Sequence, residues 1–168
     1  MQLDMKTKTL TLVFMAAGLF LGFTSNASAQ QSDQAISDAV IASVKAQWAA
    51  DIKDPSSVAE QTKDTAEDYT EFNGQYATRV DGKAQSLRLA EGAAKSSEKR
   101  IAAEMLNPKV QVYNGNLAIL TYNYAGLTID KDGKTEPSRA KSTRIFVKKD
   151  NKWVLVHANF ASDPLPKQ

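Results

Sequence analysis

Three turn dipeptides, Asn114-Gly115, Asp132-Gly133 and Asp150-Asn151, cut the last third of this chain into four runs rich in β-branched and aromatic residues. Asn-Gly and Asp-Gly accept the positive φ angles of a tight hairpin turn, so each pair predicts two antiparallel strands joined by two residues. The expected strands are residues 100–113, 116–130, 135–149 and 152–161. Upstream, Ile36, Val40, Val44, Trp48 and Ile52 recur at four-residue steps, which predicts a helix over residues 32–53, capped by Ser32 or Asp33. Because a four-residue step overshoots a 3.6-residue turn by about 40°, this apolar stripe winds around the helix. Asp54-Pro55 predicts a restart and a short helix to about Thr62, and residues 83–94 predict a third helix. Residues 64–81 mix Tyr69, Phe72 and Tyr76 with polar side chains and give no clear period. Helices followed by a meander of strands make an α+β domain.

Two-residue turns also fix a register. With Lys149 opposite Lys152 and Lys131 opposite Lys134, Arg144 faces His157, Ser142 faces Asn159, and Thr121 and Asn123 lie beside them. One sheet face then carries Val110, Val112, Leu117, Ile119, Phe146, Trp153 and Leu155 at one end. Thr121, Asn123, Ser142, Arg144, His157 and Asn159 form a polar cluster at the other. The opposite face carries Leu120, Tyr122, Tyr124, Ile145, Val147, Val154, Val156, Ala158 and Phe160. Both faces are apolar enough to need cover, and the helices of one short domain cannot cover both. A second copy of the chain is the expected lid, giving a homodimer through the sheet.

The N-terminal residues have a different purpose. Lys6 and Lys8 precede an uncharged apolar run over residues 10–23, and Ala27-Ser28-Ala29 follows, the pattern of a secretory signal peptide cleaved after Ala29. The run is shorter than the roughly 20 residues of a membrane-spanning helix. A periplasmic or secreted protein with no membrane segment after cleavage is expected, and Met5 serves as a start as well as Met1. Removing residues 1–29, which hold Lys6, Lys8 and Asp4, from the 168 leaves a single domain of 139 residues with 19 basic and 18 acidic side chains. That balance lacks the basic excess of a nucleic-acid binder. With no Cys and one His, disulfides, thiolate chemistry and multi-histidine metal centres are excluded, and no metal or cofactor is indicated. Asp130-Lys131-Asp132-Gly133 begins like a calcium loop but lacks the downstream glutamate, so a hairpin turn accounts for it.

The string from Thr143-Arg144 through Lys149-Asp150-Asn151-Lys152-Trp153 to Val156-His157-Ala158-Asn159 resembles the closing hairpin of the nuclear-transport-factor-2-like superfamily. It is most similar to the SnoaL-like proteins and the association domain of calcium/calmodulin-dependent kinase. Leu117-Ala118-Ile119-Leu120-Thr121-Tyr122 is similar to a middle strand of that family. The resemblance implies a cystatin-like, cone-shaped roll in which a long helix lies across a curved antiparallel sheet and leaves a pocket at the open end. It also implies that Arg144 lines the pocket, with His157 as the first histidine of a Val-His-x-His element whose second is here Asn159.

Such a fold hosts unrelated activities, so function must come from the site. An arginine beside a histidine suits a carboxylate or another anionic head, with Arg144, His157, Asn159, Ser142, Thr121, Asn123 and Trp153 as candidate contacts to a small, partly apolar ligand. The alternative for Arg144 is an ion pair with an acid of the middle segment, tying helix to sheet. The alternative is an isomerase or hydrolyase whose general base is either His157, with Asp64, Asp68, Glu71 and Glu104 as undistinguished partners, or a pocket carboxylate. A pure assembly module with a vestigial pocket is the third reading.

Overall fold

The computed structural model describes residues 24–163, with side chains from residue 32 onward. The lysines and apolar run of the expected signal peptide lie outside the described residues. Helix α1 spans Thr24–Lys53, so Ser32 and Asp33 sit within it and do not cap it. Nothing between Thr24 and Ser32 breaks a helix, and the alanines and glutamines there favour one. Ile36, Val40, Val44 and Trp48 are buried, while Ile52 is 36% exposed. Four successive 40° steps have carried the stripe off the packed face by then.

Asp54 ends α1 by a local turn: its Oδ1 accepts from the Ser56 backbone N–H at 2.9 Å and the Ser56 hydroxyl at 2.6 Å. The restart is therefore delayed, and helix α2 covers only Val58–Gln61. Strand β1 (Thr65–Asn73) and the two-residue β2 (Val80–Asp81) follow, then helix α3 over Lys83–Ala94, as expected. Strands β3 (Lys99–Tyr113), β4 (Leu117–Ile129), β5 (Thr135–Lys149) and β6 (Lys152–Ser162) form the meander that the turn dipeptides predict. The result is an α+β roll with a curved, unclosed six-stranded sheet of order β2-β1-β6-β5-β4-β3. The meander is antiparallel, and β1 joins β6 in parallel.

The register departs from expectation at three places. Only the last turn has two residues: Asp150 and Asn151 both take positive φ, and Lys149 pairs with Lys152. Between β3 and β4 the loop holds three residues, so Tyr113 pairs with Leu117. Between β4 and β5 it holds five, because the Asp130 carboxylate accepts the backbone N–H groups of Asp132 and Lys134, each at 2.9 Å, and Gly133 turns at φ +80°. Ile129 therefore pairs with Thr135, and Arg144 lies opposite Leu120 rather than Thr121. Both loops exceed the two-residue turn by an odd number, so β4 is turned over relative to both neighbours. In β6 the register shifts again between Leu155 and His157, leaving Val156 as a bulge.

The core lies between α1 and the inner sheet face. Val40, Val44 and Trp48 meet Ala118, Leu120, Tyr122, Phe146, Leu155 and Ala158. Trp48 makes edge contacts to the rings of Tyr122 and Tyr124 at 5.7 and 5.4 Å. Leu120 is fully enclosed, so Leu120→Ala should cost about 2–5 kcal/mol of unfolding free energy. Ile52→Ala should cost less than half of that. Urea titration of the two variants checks the ranking, and equal losses would mean that the stripe does not leave the core at Ile52.

Candidate functional site

A cavity of about 610 Å3 opens between the helices and the inner sheet face. Gln47, Trp48 and Asp51 of α1 form one wall, and α3 contributes Ser86 and Ala90. The sheet supplies Tyr69 and Glu71 from β1, Arg100 from β3, Tyr122 and Tyr124 from β4, Ser142 and Arg144 from β5, and Phe160 from β6.

Arg144 is the deepest charge, 6% exposed. Its Nε donates to the Tyr122 hydroxyl at 3.0 Å, one terminal nitrogen donates to Gln47 Oε1 at 2.7 Å, and its guanidinium lies 5.2 Å from the centre of the Phe160 ring. Among the described residues no carboxylate comes within 4.0 Å of it. The ion pair that would make this arginine a structural tie is therefore not formed. Removing a cation from water costs several kcal/mol, and neutral oxygens and a ring face offset only part of that. Arg100, at the rim, is differently placed: it bonds Asp51 of α1 at 2.5 Å and lies over the Tyr124 ring.

Among the described residues, Glu71 is the one cavity carboxylate fixed by neutral donors on both oxygens. The Tyr69 hydroxyl donates to Oε2 at 2.7 Å and Asn73 Nδ2 donates to Oε1 at 2.9 Å. Burial of the Tyr69 phenol, reinforced by the neighbouring Glu71 charge and the hydrogen bond to it, pushes its pKa well above the usual range. Burial and Glu71 push Tyr76 the same way. At the cavity edge, the Tyr124 ring lies across Gly126, filling the space that a Cβ at Gly126 would need.

The predicted polar cluster is split by the register changes. Ser142 and Arg144 face the cavity together, and Tyr122, expected on the opposite face, joins them. His157 lies on the outer face, where its Nδ1 is 2.8 Å from the Thr70 hydroxyl and its ring meets the exposed Phe72 edge-on at 6.2 Å. Thr121, Asn123 and Asn159 border a separate open hollow of about 440 Å3 on that outer face, with Asn107 and Thr143. Trp153 packs against the core near the β5–β6 turn, away from the cavity. No described carboxylate hydrogen-bonds His157, so the arrangement of a histidine base held by an acid is absent among these residues.

The family profile of the calcium/calmodulin dependent protein kinase II association domain matches residues 37–164. The chain belongs to that family. The solved association domain of the Caenorhabditis elegans kinase shares the fold with a TM-score of 0.64 and 18% identity, over 79% of this chain and 99% of that one. A nuclear transport factor 2-like superfamily protein from Salmonella enterica gives 0.62 and 16%, over 83% of this chain and 96% of that one. Against the whole C. elegans kinase the identity is 26% over 65 residues, which is 39% of this chain but only 9% of the kinase. In this association-domain chain the arginine of Thr143-Arg144 lines the cavity, as the sequence resemblance implied, whereas the histidine does not.

Gln47 escaped the sequence reading, Glu71 stood there undistinguished among four acids, and Tyr69 lay in a segment without a clear period. The alternation Tyr69-Thr70-Glu71-Phe72 was a strand signal, but it was masked by the acidic residues around it. The buried Tyr69 phenol carries a linkage of definite sign. Above pH 10, its ordinary value, the unfolded chain loses this proton while the folded chain keeps it, so stability falls as pH rises. The slope from this group is at most about 1.4 kcal/mol per pH unit. The stability advantage of wild type over Tyr69→Phe should shrink between pH 9 and 11 in denaturant titrations, and a constant difference would show that the phenol ionises freely in the fold.

Proposed function

We propose that this chain is an exported protein of nuclear-transport-factor-2-like fold that binds a small, partly apolar molecule by an anionic head at Arg144, and that it works as a homodimer. The observation that carries the first part is the buried guanidinium open to a roomy cavity with no carboxylate beside it. A ligand carboxylate or similar oxyanion supplies the missing charge, and the planar fork suits it. Trp48, Tyr124 and Phe160 offer apolar surface to the rest of the molecule.

Calorimetry with 4-phenylbutyrate and its neutral amide tests this reading. The acid should bind and the amide should not, and Arg144→Ala should weaken the acid by about tenfold or more. Should that variant not fold, Arg144→Lys keeps the charge, loses the fork and should still weaken binding. Equal affinity of acid and amide, or of wild type and variant, would defeat the reading.

The dimer is supported by the outer sheet face. Leu117, Ile119, Ile145, Val147, Val154 and Val156 are half-buried there, with no described element packed over them. Relatives with this fold include a hub homology domain from Chlamydomonas reinhardtii. Export is supported by the N-terminal sequence pattern. Native mass spectrometry of protein expressed with its leader in a bacterial host should give twice the mass of a chain beginning at Gln30. A monomer at all concentrations would remove the dimer, and a retained leader would remove the cleavage site.

A further inference from the structure

Glu71, Ala158 and Arg144 form one row across three neighbouring strands. Glu71 of β1 pairs with Ala158 of β6, and Ala158 pairs with Arg144 of β5. Two strand spacings put the outer backbones about 10 Å apart. The residue between them is a fully buried alanine, too small to bridge the gap. Both flanking side chains line the same cavity. Each is satisfied only by neutral groups: Arg144 by Tyr122 and Gln47, Glu71 by Tyr69 and Asn73. Among the described residues, neither lies within ion-pair distance of an opposite charge or of the other. The other charges of the wall do not change this balance. Arg100 is committed to Asp51, and Glu98, Lys99 and Arg139 are exposed, where water screens them.

We infer that the ligand is zwitterionic: its acid binds at Arg144 and an amine at its other end binds at Glu71. This rests on the anion-binding reading of Arg144 and extends it to the second pole of the same cavity. A purely anionic ligand would share the cavity with an uncompensated carboxylate, at an electrostatic cost that an ammonium group reverses. The Tyr69 and Tyr76 rings near Glu71 add faces that attract a cation. The row geometry suits an amine and acid separated by about three to five methylene groups.

The test is calorimetry on the folded chain with 5-aminopentanoate, pentanoate and pentylamine. Wild type should bind 5-aminopentanoate about tenfold or more tightly than pentanoate, since a charge-assisted hydrogen bond is gained. Glu71→Gln should bring the two acids to equal affinity without weakening pentanoate. Equal binding of both acids by wild type, or a Glu71→Gln variant that keeps the preference, overturns the amine assignment while leaving the anion site standing. Binding of pentylamine but neither acid overturns the Arg144 reading and this one with it. The wild-type comparison decides the matter even if the variant does not fold.

Discussion

A strand shows alternate residues to opposite faces, so in a meander the number of residues in each turn decides what every later side chain can touch. This parity governs the whole site. The five-residue turn held by the Asp130 carboxylate sets Tyr122 beside Arg144, and the Val156 bulge sends His157 outward while keeping Ala158 and Phe160 inward. A two-residue turn at Asp132-Gly133 would instead place Thr121 next to Arg144. Leu120 and Tyr122 would then leave the core, and Trp48 would lose both aromatic partners, Tyr122 and Tyr124. The deep apolar contacts of Leu120 and Tyr122 with α1 therefore enforce the longer turn, and the turn's own hydrogen bonds make it locally comfortable.

That dependence explains why the fold was more legible than the site. Turn dipeptides and the four-residue stripe are local signals: the first located all four strands of the meander within a residue or two, and the second located the end of α1 at Lys53. Parity is not local. Asp132-Gly133 reads as a hairpin turn whether the loop holds two residues or five, and the difference rests on Asp130, which looked like a strand end. Strand β1 was hidden for another reason. Its partner β6 lies some ninety residues later, and its pairing is parallel, so no turn announces it. Glu67, Asp68 and Glu71 gave the segment the look of a loop. Arg144 was recoverable because the resemblance, rather than the register, pointed to it.

The same parity separates two surfaces with different chemistry. Inward, the sheet presents phenols, an arginine and a glutamate to a cavity. Outward, it presents a half-buried aliphatic row, with His157, Thr70 and Asn159 toward one end. The lone histidine thus belongs to the outer face, whereas Glu71 and the surrounding tyrosines line the cavity, together with Asp51 and Glu98.

An assembly module would need only that outer face. It would gain nothing from a buried guanidinium, whose desolvation costs several kcal/mol, or from an unfilled cavity whose walls forfeit dispersion contacts. A well-packed apolar side chain at position 144 would relieve the first cost and reduce the second. The present arrangement instead fixes Arg144 by Tyr122 and Gln47, and fixes Glu71 by Tyr69 and Asn73, so both charges are held in place before anything binds. Groups held that way lose little conformational freedom on binding, which is what a small ligand with few contacts requires. The energetics of the inner face therefore support the proposed binding role over a vestigial pocket, whether or not the outer face meets a second copy.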